Sequence, residues 1–548
     1  MKKDTVAIIR DALAGLGIPP LAEIEVQIPK VESFGDISTP VAMALAKPLR
    51  KSPRKIAEEI AGVLRDSEIF AEVEIAGPGF INISFTKEYL YQSLKHLLMG
   101  ERAFLREDVG HGSRVLVEYV SANPTGPLHI GHARGAAVGN ALCNLLEESG
   151  FRVEREYYIN DAGRQVRLLG LSIYTRYQQM MGAEIAFPDE GYQGQYIEEE
   201  ASGLSVEVGE KYRGVPFEDC EKEIKAWAYD RMMGLIRRDL SSFNIRDFTN
   251  WVSEKGLYEK GEVAEAIEEL RRRGLVYGKD GAVWFRSSDF GDDKDRVVIK
   301  QDGQYTYFAS DIAYHKDKLD RGYDIIIDVW GADHHGYIPR VASMMKAFGY
   351  DSSKFRVILV QIVNLLKHGE PFRMSKRAGT FVTLSEVVDL VGADNTKFIF
   401  LTRKADSHLD FDIDVVTAQS AENPVYYVQY ANARINSIFG NAREKGIDTS
   451  RLETCDLGPL TNNEELVIIK KLLAYPMVLE GAARAYEPHR ITFYLQELAG
   501  MFHPYYHKYK VVSDDMETTM ARLALCGAVK AVLGDALSIL GVSAPEKM

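Results

Sequence analysis

Asn123-Pro124-Thr125-Gly126-Pro127-Leu128-His129-Ile130-Gly131-His132 stands between two runs of opposite character. Residues 114–120 before it are β-rich, 131–149 after it read as a helix closed by Gly150, and 152–159 read as a second strand. The three together predict a βαβ unit. Its loop of small residues lets a ligand's phosphates approach closely, the helix N-terminus offers N–H groups and positive potential, and two imidazoles can donate to developing phosphoryl charge. His129 and His132, three apart, fall on one side of the first helical turn. The same pair could also be a polar N-cap or two ligands of a metal, although the motif supplies no third ligand. Neither the dinucleotide fingerprint nor a P-loop is present, so neither NAD nor kinase-like nucleotide binding is indicated.

Outward from this unit the chain divides by pattern. Residues 165–286 are mostly helical and charged, as an insertion between two halves of a sheet would be. Sheet-like runs return at 305–309, 323–330 and 355–363 and alternate with helical segments, which predicts an open parallel sheet. The first 105 residues read as a separate α+β domain: helices over 5–16, 40–49 and 53–64, then strands within 71–85 broken by Gly77-Pro78-Gly79. Beyond Asp414 the strand signals fade, and amphipathic stretches at 426–439, 463–480, 491–509 and 516–540 predict a helical bundle. The expected domains are therefore 1–105, 106–414 with its insertion at about 165–286, and 415–548. No internal repeat is evident.

A chain of 548 residues needs several cores, roughly three to four by typical domain size. The apolar run near the N-terminus is interrupted by Arg10 and Asp11, which does not fit a signal peptide, and no uninterrupted apolar stretch reaches the roughly 18 residues of a bilayer span. The expectation is a soluble cytoplasmic protein without membrane contact. Cys143, Cys220, Cys455 and Cys526 lie far apart with no C-x-x-C spacing, against both a zinc knuckle and a disulfide framework. A net charge of −13 counts against a polyanionic partner, yet Lys47, Arg50, Lys51, Arg54 and Lys55 cluster around the start of one helix. That cluster is either a solvated helix face or a phosphate-contacting patch.

A second motif completes the first. The His-x-Gly-His turn after the first strand resembles the adenylate-forming motif of class I aminoacyl-tRNA synthetases, and Phe372-Arg373-Met374-Ser375-Lys376-Arg377 resembles the flexible lysine loop of that class. Arg377 stands where serine is usual. Bacterial-type arginyl-tRNA synthetases look similar over almost the whole chain, through residues 117–126, Tyr158-Ile159-Asn160-Asp161, Gly331-Ala332-Asp333-His334-His335-Gly336, 425–430 and the C-terminal Ala544-Pro545-Glu546-Lys547-Met548. The resemblance implies a multidomain α/β protein: a Rossmann-like catalytic domain with a helical insertion, an N-terminal α+β domain touching the tRNA elbow, and a C-terminal all-α anticodon-binding domain. It implies His129, His132 and Lys376 as catalytic residues, with Pro124, Thr125, Gly126, Gly131, Met374 and Ser375 beside them at ATP. Arginine would meet Glu118, Asn123, Tyr307, Asp311 and His334. The tRNA would meet Phe80 and Asn82, with Lys51, Arg54 and Lys55 near them, and Tyr426, Tyr430 and Met548 at the other end.

Side-chain chemistry supports arginine separately. A guanidinium is planar, permanently charged and has five donors, so a selective pocket needs carboxylates and a flat wall. Tyr307 and Asp311, four apart, offer both if a helix begins there; a surface strand end with an N-cap is the other reading of the same residues. Asp333-His334-His335 invites a metal reading, but adjacent histidines point to different sides, and no resident metal is expected. Magnesium is expected only with ATP, held mainly by phosphates, and zinc not at all. The implied reaction is ATP-dependent activation of L-arginine and transfer to the terminal 2′-hydroxyl of tRNA(Arg) by a monomeric enzyme. The alternatives are another class I synthetase or a catalytically inactive tRNA-binding paralogue.

Overall fold

The structure, a computed structural model, describes residues 1–29, 31–100, 105–372 and 382–548. Near the N-terminus, α2 (Val41–Leu49) and α3 (Pro53–Leu64) pack on an antiparallel sheet of order β1 (Ile37–Thr39), β3 (Phe80–Phe85), β2 (Phe70–Ala76), and α1 (Lys2–Gly15) packs on α3. Pro53 begins α3, where its missing N–H costs nothing, and Ile56, Ile60 and Leu64 form the buried stripe. The β2–β3 turn presses on that helix start: a Cβ on Gly79, at φ +141°, would lie 3.0 Å from Pro53. Glycine is required there. The next helix, α4 (Lys87–Leu98), is capped by Thr86 and packs against the C-terminal helices.

The central sheet is parallel, built from β4 (Arg114–Glu118), β5 (Arg152–Ile159), β6 (Asn250–Ser253), β10 (Ile325–Gly331) and β11 (Phe355–Val360) in the order β11-β10-β4-β5-β6. Between β4 and β5 runs α5 (Ile130–Glu148). Chain order therefore reverses direction between β4 and β10, and in open parallel sheets ligands bind at the carboxyl ends of the strands at such a switch point. The expected helical insertion over 165–286 is mixed. It holds α6 (Arg164–Met180), α7 (Gln195–Val208) and α8 (Phe217–Ser242), but then returns to the sheet as β6 and continues as α9 (Glu254–Glu259) and α10 (Glu262–Arg272). A small antiparallel sheet follows, β7 (Val276–Lys279), β8 (Ala282–Phe285) and β9 (Arg296–Ile299).

The sheet-like run expected at 305–309 is corrected to a helix start. Tyr305 makes only an isolated bridge to Ile299, and α11 (Tyr307–Asp320) begins at Tyr307 after Thr306. After β10 comes a 3-10 turn over Ala332–Tyr337 and α12 (Ile338–Ala347). The run expected at 355–363 splits, because β12 (Val363–Lys367) leaves β11 to pair with β13 (Glu370–Pro371) and with β14 (Leu409–Asp412) in a separate sheet. Between these strands lie α13 (Leu384–Val391) and α14 (Ala393–Phe400), and α15 (Ile413–Thr417) leads out.

Four long helices close the chain: α16 (Pro424–Glu444), α17 (Asn463–Ala485), α18 (His489–Lys508) and α19 (Met516–Leu540). By length and composition α19 could cross a membrane, with a mean hydropathy of 1.8 over its most apolar window. It is instead largely buried, against α4, α5 and the other three helices, and Arg522 and Asp535 on it pair with Glu465 and Arg106. Among the tyrosines of these helices, Tyr475, Tyr494 and Tyr505 are core.

Candidate active site

At the end of β4 the backbone turns through two left-handed residues, Val120 at φ 70° and Ser121 at φ 39°. A β-branched residue rarely adopts that conformation, and such strain collects at functional sites. The turn brings the Ser121 hydroxyl back to Glu118 Oε1, donating at 2.7 Å, while it accepts from the Tyr158 N–H at 3.1 Å. Tyr157 donates to the Ala122 carbonyl at 2.9 Å, and Asn123 is left exposed at the crevice. Across the loop Tyr196 of α7 donates to the Thr125 carbonyl at 2.8 Å, and its ring lies 3.2 Å from where a Gly126 Cβ would stand. An insertion helix thus covers the bend at Thr125 and Gly126. The Asp239 carboxylate of α8 accepts from the Leu128 N–H at 3.1 Å, and burial raises its pKa to about 6.

The two histidines take one of the roles the sequence allowed, a polar N-cap. They form a reciprocal cap: His129 Nδ1 accepts from the Gly131 N–H at 3.1 Å, and His132 Nδ1 accepts from the His129 N–H at 3.4 Å. Each accepting Nδ1 places the ring proton on Nε2, so each neutral ring is a donor. The rings stack with centroids 3.7 Å apart. Burial lowers the pKa of both, and His129 adds to the depression of His132, which falls to about 3. These are neutral donors at physiological pH.

The lysine-loop residues Met374, Ser375 and Lys376 lie outside the described residues, but the chain on their C-terminal side is fixed against the histidine motif. Ile130 N–H donates to the Val382 carbonyl at 3.1 Å, Leu384 N–H donates to the Leu128 carbonyl at 2.7 Å, and Thr383 bridges His129. Thr383 caps α13 in a box with Glu386. The segment 382–384, which follows the second motif in sequence, is thereby paired with 128–130 of the first.

On the facing wall Tyr307 and Asp311 share the first turn of α11. Tyr307 is 71% exposed, so its ring is a free flat wall, and its hydroxyl lies near Gly163. The Asp311 carboxylate accepts from the Tyr337 hydroxyl, and burial raises its pKa against that bond and the pull of His315, Arg340 and Lys318. Tyr337 went unread in the sequence. His334, expected at the amino acid, is exposed beside Asp333, and it is the Tyr337 hydroxyl that reaches Asp311. Glu118 is buried, its carboxylate held by Ser121, Tyr314 and Lys318. Beside Tyr307 opens a cavity of about 980 Å³ lined among others by Asp161, Tyr229, Glu254 and Tyr258.

The sites expected for RNA divide. Lys51, Arg54 and Lys55 are exposed, Arg54 donating to the Gly77 carbonyl at 3.4 Å, so the basic helix and the β2–β3 turn form one surface with half-buried Phe80. Asn82, expected at the tRNA, has a buried side chain: its Oδ1 accepts from Ser38 at 2.7 Å within the β1–β3 pair. On α16, Tyr426 and Tyr430 stack at 5.6 Å, and the Arg434 guanidinium lies 4.6 Å from the Tyr430 ring and 4.7 Å from Tyr506 of α18. Met548 is exposed, and the segment leading to it is held by Asn432 on the Ala544 and Pro545 carbonyls. Among the described residues no cluster has metal-ligand geometry.

Comparison with known proteins agrees along the chain. Residues 4–85 match the family described as Arginyl tRNA synthetase N terminal domain, 93–437 match tRNA synthetases class I (R), catalytic domain, and 428–548 match DALR anticodon binding domain. The arginine–tRNA ligase of Syntrophotalea carbinolica is 49% identical over 96% of this chain and 95% of its own, and that of Bacillus licheniformis 45% over 98% of each. Among solved structures, a putative arginyl-tRNA synthetase from Campylobacter jejuni superposes with a TM-score of 0.79 at 39% identity, covering 85% of this chain and all of its own. The Thermus thermophilus arginyl-tRNA synthetase, at 22% identity, shares the fold over the full length of both chains with a TM-score of 0.76. A catalytic-domain match across more than half the chain, flanked by both companion domains, places this protein in the arginyl-tRNA synthetase family.

Proposed function

We propose that the crevice at the carboxyl ends of β4 and β10 forms arginyl-adenylate, with His129, His132 and Lys376 as its catalytic residues. The chain is an ATP-dependent arginine–tRNA ligase, and the observation that carries this site is the pairing of 128–130 with 382–384. ATP lies over Pro124, Thr125, Gly126 and Gly131, with Met374 and Ser375 beside it and Mg²⁺ arriving on its phosphates. The arginine carboxylate attacks the α-phosphorus in line, forming the new O–P bond as the bond to the β-phosphate oxygen breaks. Charge gathers on the leaving pyrophosphate, where two Nε2–H groups, the α5 N-terminus and the Lys376 ammonium receive it. The terminal 2′-hydroxyl of tRNA(Arg) then attacks the mixed anhydride and AMP leaves.

Arginine is read by Asp311 at the guanidinium, Tyr307 as its flat wall, and Glu118 and Asn123 at the backbone end. A site that satisfies a buried guanidinium rejects analogues lacking it, so no editing step is needed. The tRNA spans two patches: Lys51, Arg54, Lys55 and Phe80 at residues 1–105, supported by Asn82 from within, and Tyr426, Tyr430 and Met548 at 415–548. The enzyme works as a cytoplasmic monomer. Pyrophosphate exchange with each amino acid, with and without tRNA, tests the reading: exchange with arginine and dependence on cognate tRNA are expected. Exchange driven by another amino acid and not by arginine overturns it.

A further inference from the structure

Three carboxylates stand in a row across the middle of the parallel sheet. Parallel register places Glu118 of β4 opposite Asp328 of β10 on one side and Glu156 of β5 on the other, and all three are buried. Like charges on directly opposed positions destabilise a sheet unless a cation lies between them. Helix α11 supplies the cover. Its Lys318, fully buried, donates to Glu118 Oε2 and, at 2.8 Å, to Asp328 Oδ1. Arg321 pairs with Glu156 at 2.6 Å, the Tyr314 hydroxyl lies 2.8 Å from both Glu118 and Glu156, and His315 Nε2 lies 3.2 Å from Asp328. Two permanent cations thus face three carboxylates.

Oxygen by oxygen, Glu118 is divided. Oε2 is taken by Lys318 and Tyr314, whereas Oε1 is held by Ser121, the residue that opens the strained loop of the crevice. The same α11 that carries Lys318 begins with Tyr307 and Asp311. Removing a buried cation between adjacent carboxylates forces them to share a proton. We propose that Lys318 is a positioning residue for arginine: it balances the charge between Glu118 and Asp328 and holds Glu118 by Oε2, so that Oε1 is presented to the α-ammonium of the amino acid. The inference rests on the proposed placement of arginine at Glu118.

The test measures arginine and ATP KM values between pH 6.5 and 8.5, in tRNA charging by full-length variants whose folding is followed by circular dichroism. Lys318→Met is expected to raise the arginine KM by about tenfold or more at neutral pH, since a carboxyl group pushed about one unit above the assay pH keeps only about a tenth of its ionised form. That rise deepens as pH falls, while the ATP KM stays within about twofold. Lys318→Met with Asp328→Asn removes the cation together with the competing carboxylate, and is expected to restore both the KM and its flat pH profile. A pH-independent KM in Lys318→Met, or a double variant no better than the single, overturns the role. If Lys318→Met does not fold, Lys318→Gln takes its place as the single variant, with the same expected rise in KM and the same overturning results. Glu118→Gln separates the premises. An unchanged arginine KM there removes Glu118 from the amino-acid site and overturns the role of Lys318 with it; a raised KM supports that placement, so that a failure of the Lys318 variants then counts against Lys318 alone.

Discussion

Replacing His132 by alanine removes a ring that has two separable jobs. One is structural: Nδ1 accepts from the His129 N–H at a long 3.4 Å, and loss of such a cap costs about 1 kcal/mol or less. The other is catalytic: a donor aimed at charge that develops only in the transition state is worth roughly 3–4 kcal/mol, or about 10²–10³ in rate. The catalytic loss should dominate. Arginine-dependent pyrophosphate exchange at saturating ATP, with tRNA present, should fall by that factor while the arginine KM changes little. Because the pKa of His132 is depressed to about 3, the ring is neutral from pH 6 to 8.5, and the ratio of wild-type to variant rates should stay constant there. The stability sign follows from the same shift. A folded value below the unfolded 6.5 means that stability is fully present above about pH 6.5 and is lost as pH falls toward 3; the variant lacks that contribution. A near-normal rate, or a rate ratio that grows as the pH falls from 8 to 6, would refute a neutral donor at this position.

Asp311→Asn should lower kcat/KM for arginine by about two orders of magnitude or more, as expected when one partner of a buried charge pair is removed. Because burial raises the Asp311 pKa in the empty site, the arginine KM of the wild type should rise on acidification earlier than for an ordinary aspartate, and the variant should lose this dependence; a KM unchanged in Asp311→Asn places the guanidinium elsewhere. Tyr430→Ala should weaken tRNA binding by roughly 1–3 kcal/mol without altering ATP affinity, measured by filter binding; equal affinity makes the Tyr426–Tyr430 stack a packing feature. A chain starting at Lys87, which keeps α4 on the bundle, should bind tRNA more weakly and with a shallower salt slope. An unchanged slope removes Lys51, Arg54 and Lys55 from the interface.

The parts legible in the sequence are those where one local signal decides. The βαβ unit, with its strand, glycine-bearing loop and long helix, is one; the C-terminal helices with their sustained periodicity are another. The turn chemistry of Gly77-Pro78-Gly79 likewise marks the β2–β3 connection. Short or shared signals mislead. Asn250–Ser253 is only four residues long and polar at both ends, so its place in the sheet is set by β5 rather than by its own pattern. Tyr305, Thr306, Tyr307 and Phe308 have strand-like side chains, yet Thr306 stands at an N-cap and the helix wins. The row of Glu118, Asp328 and Glu156 needs strand register to become visible, since the three residues are scattered over more than 200 positions. Tyr196, Asp239 and Tyr337 belong to the site only through packing of distant elements, and no spacing in the sequence marks them.

The most direct measurement is transfer of labelled arginine to tRNA(Arg) ending in ordinary, 2′-deoxy or 3′-deoxy adenosine, with AMP release followed in parallel. The account predicts arginyl ester on the ordinary and 3′-deoxy ends, none on the 2′-deoxy end, and one AMP for each ester formed. Charging of the 2′-deoxy end, or no arginyl ester on any of the three, would contradict it.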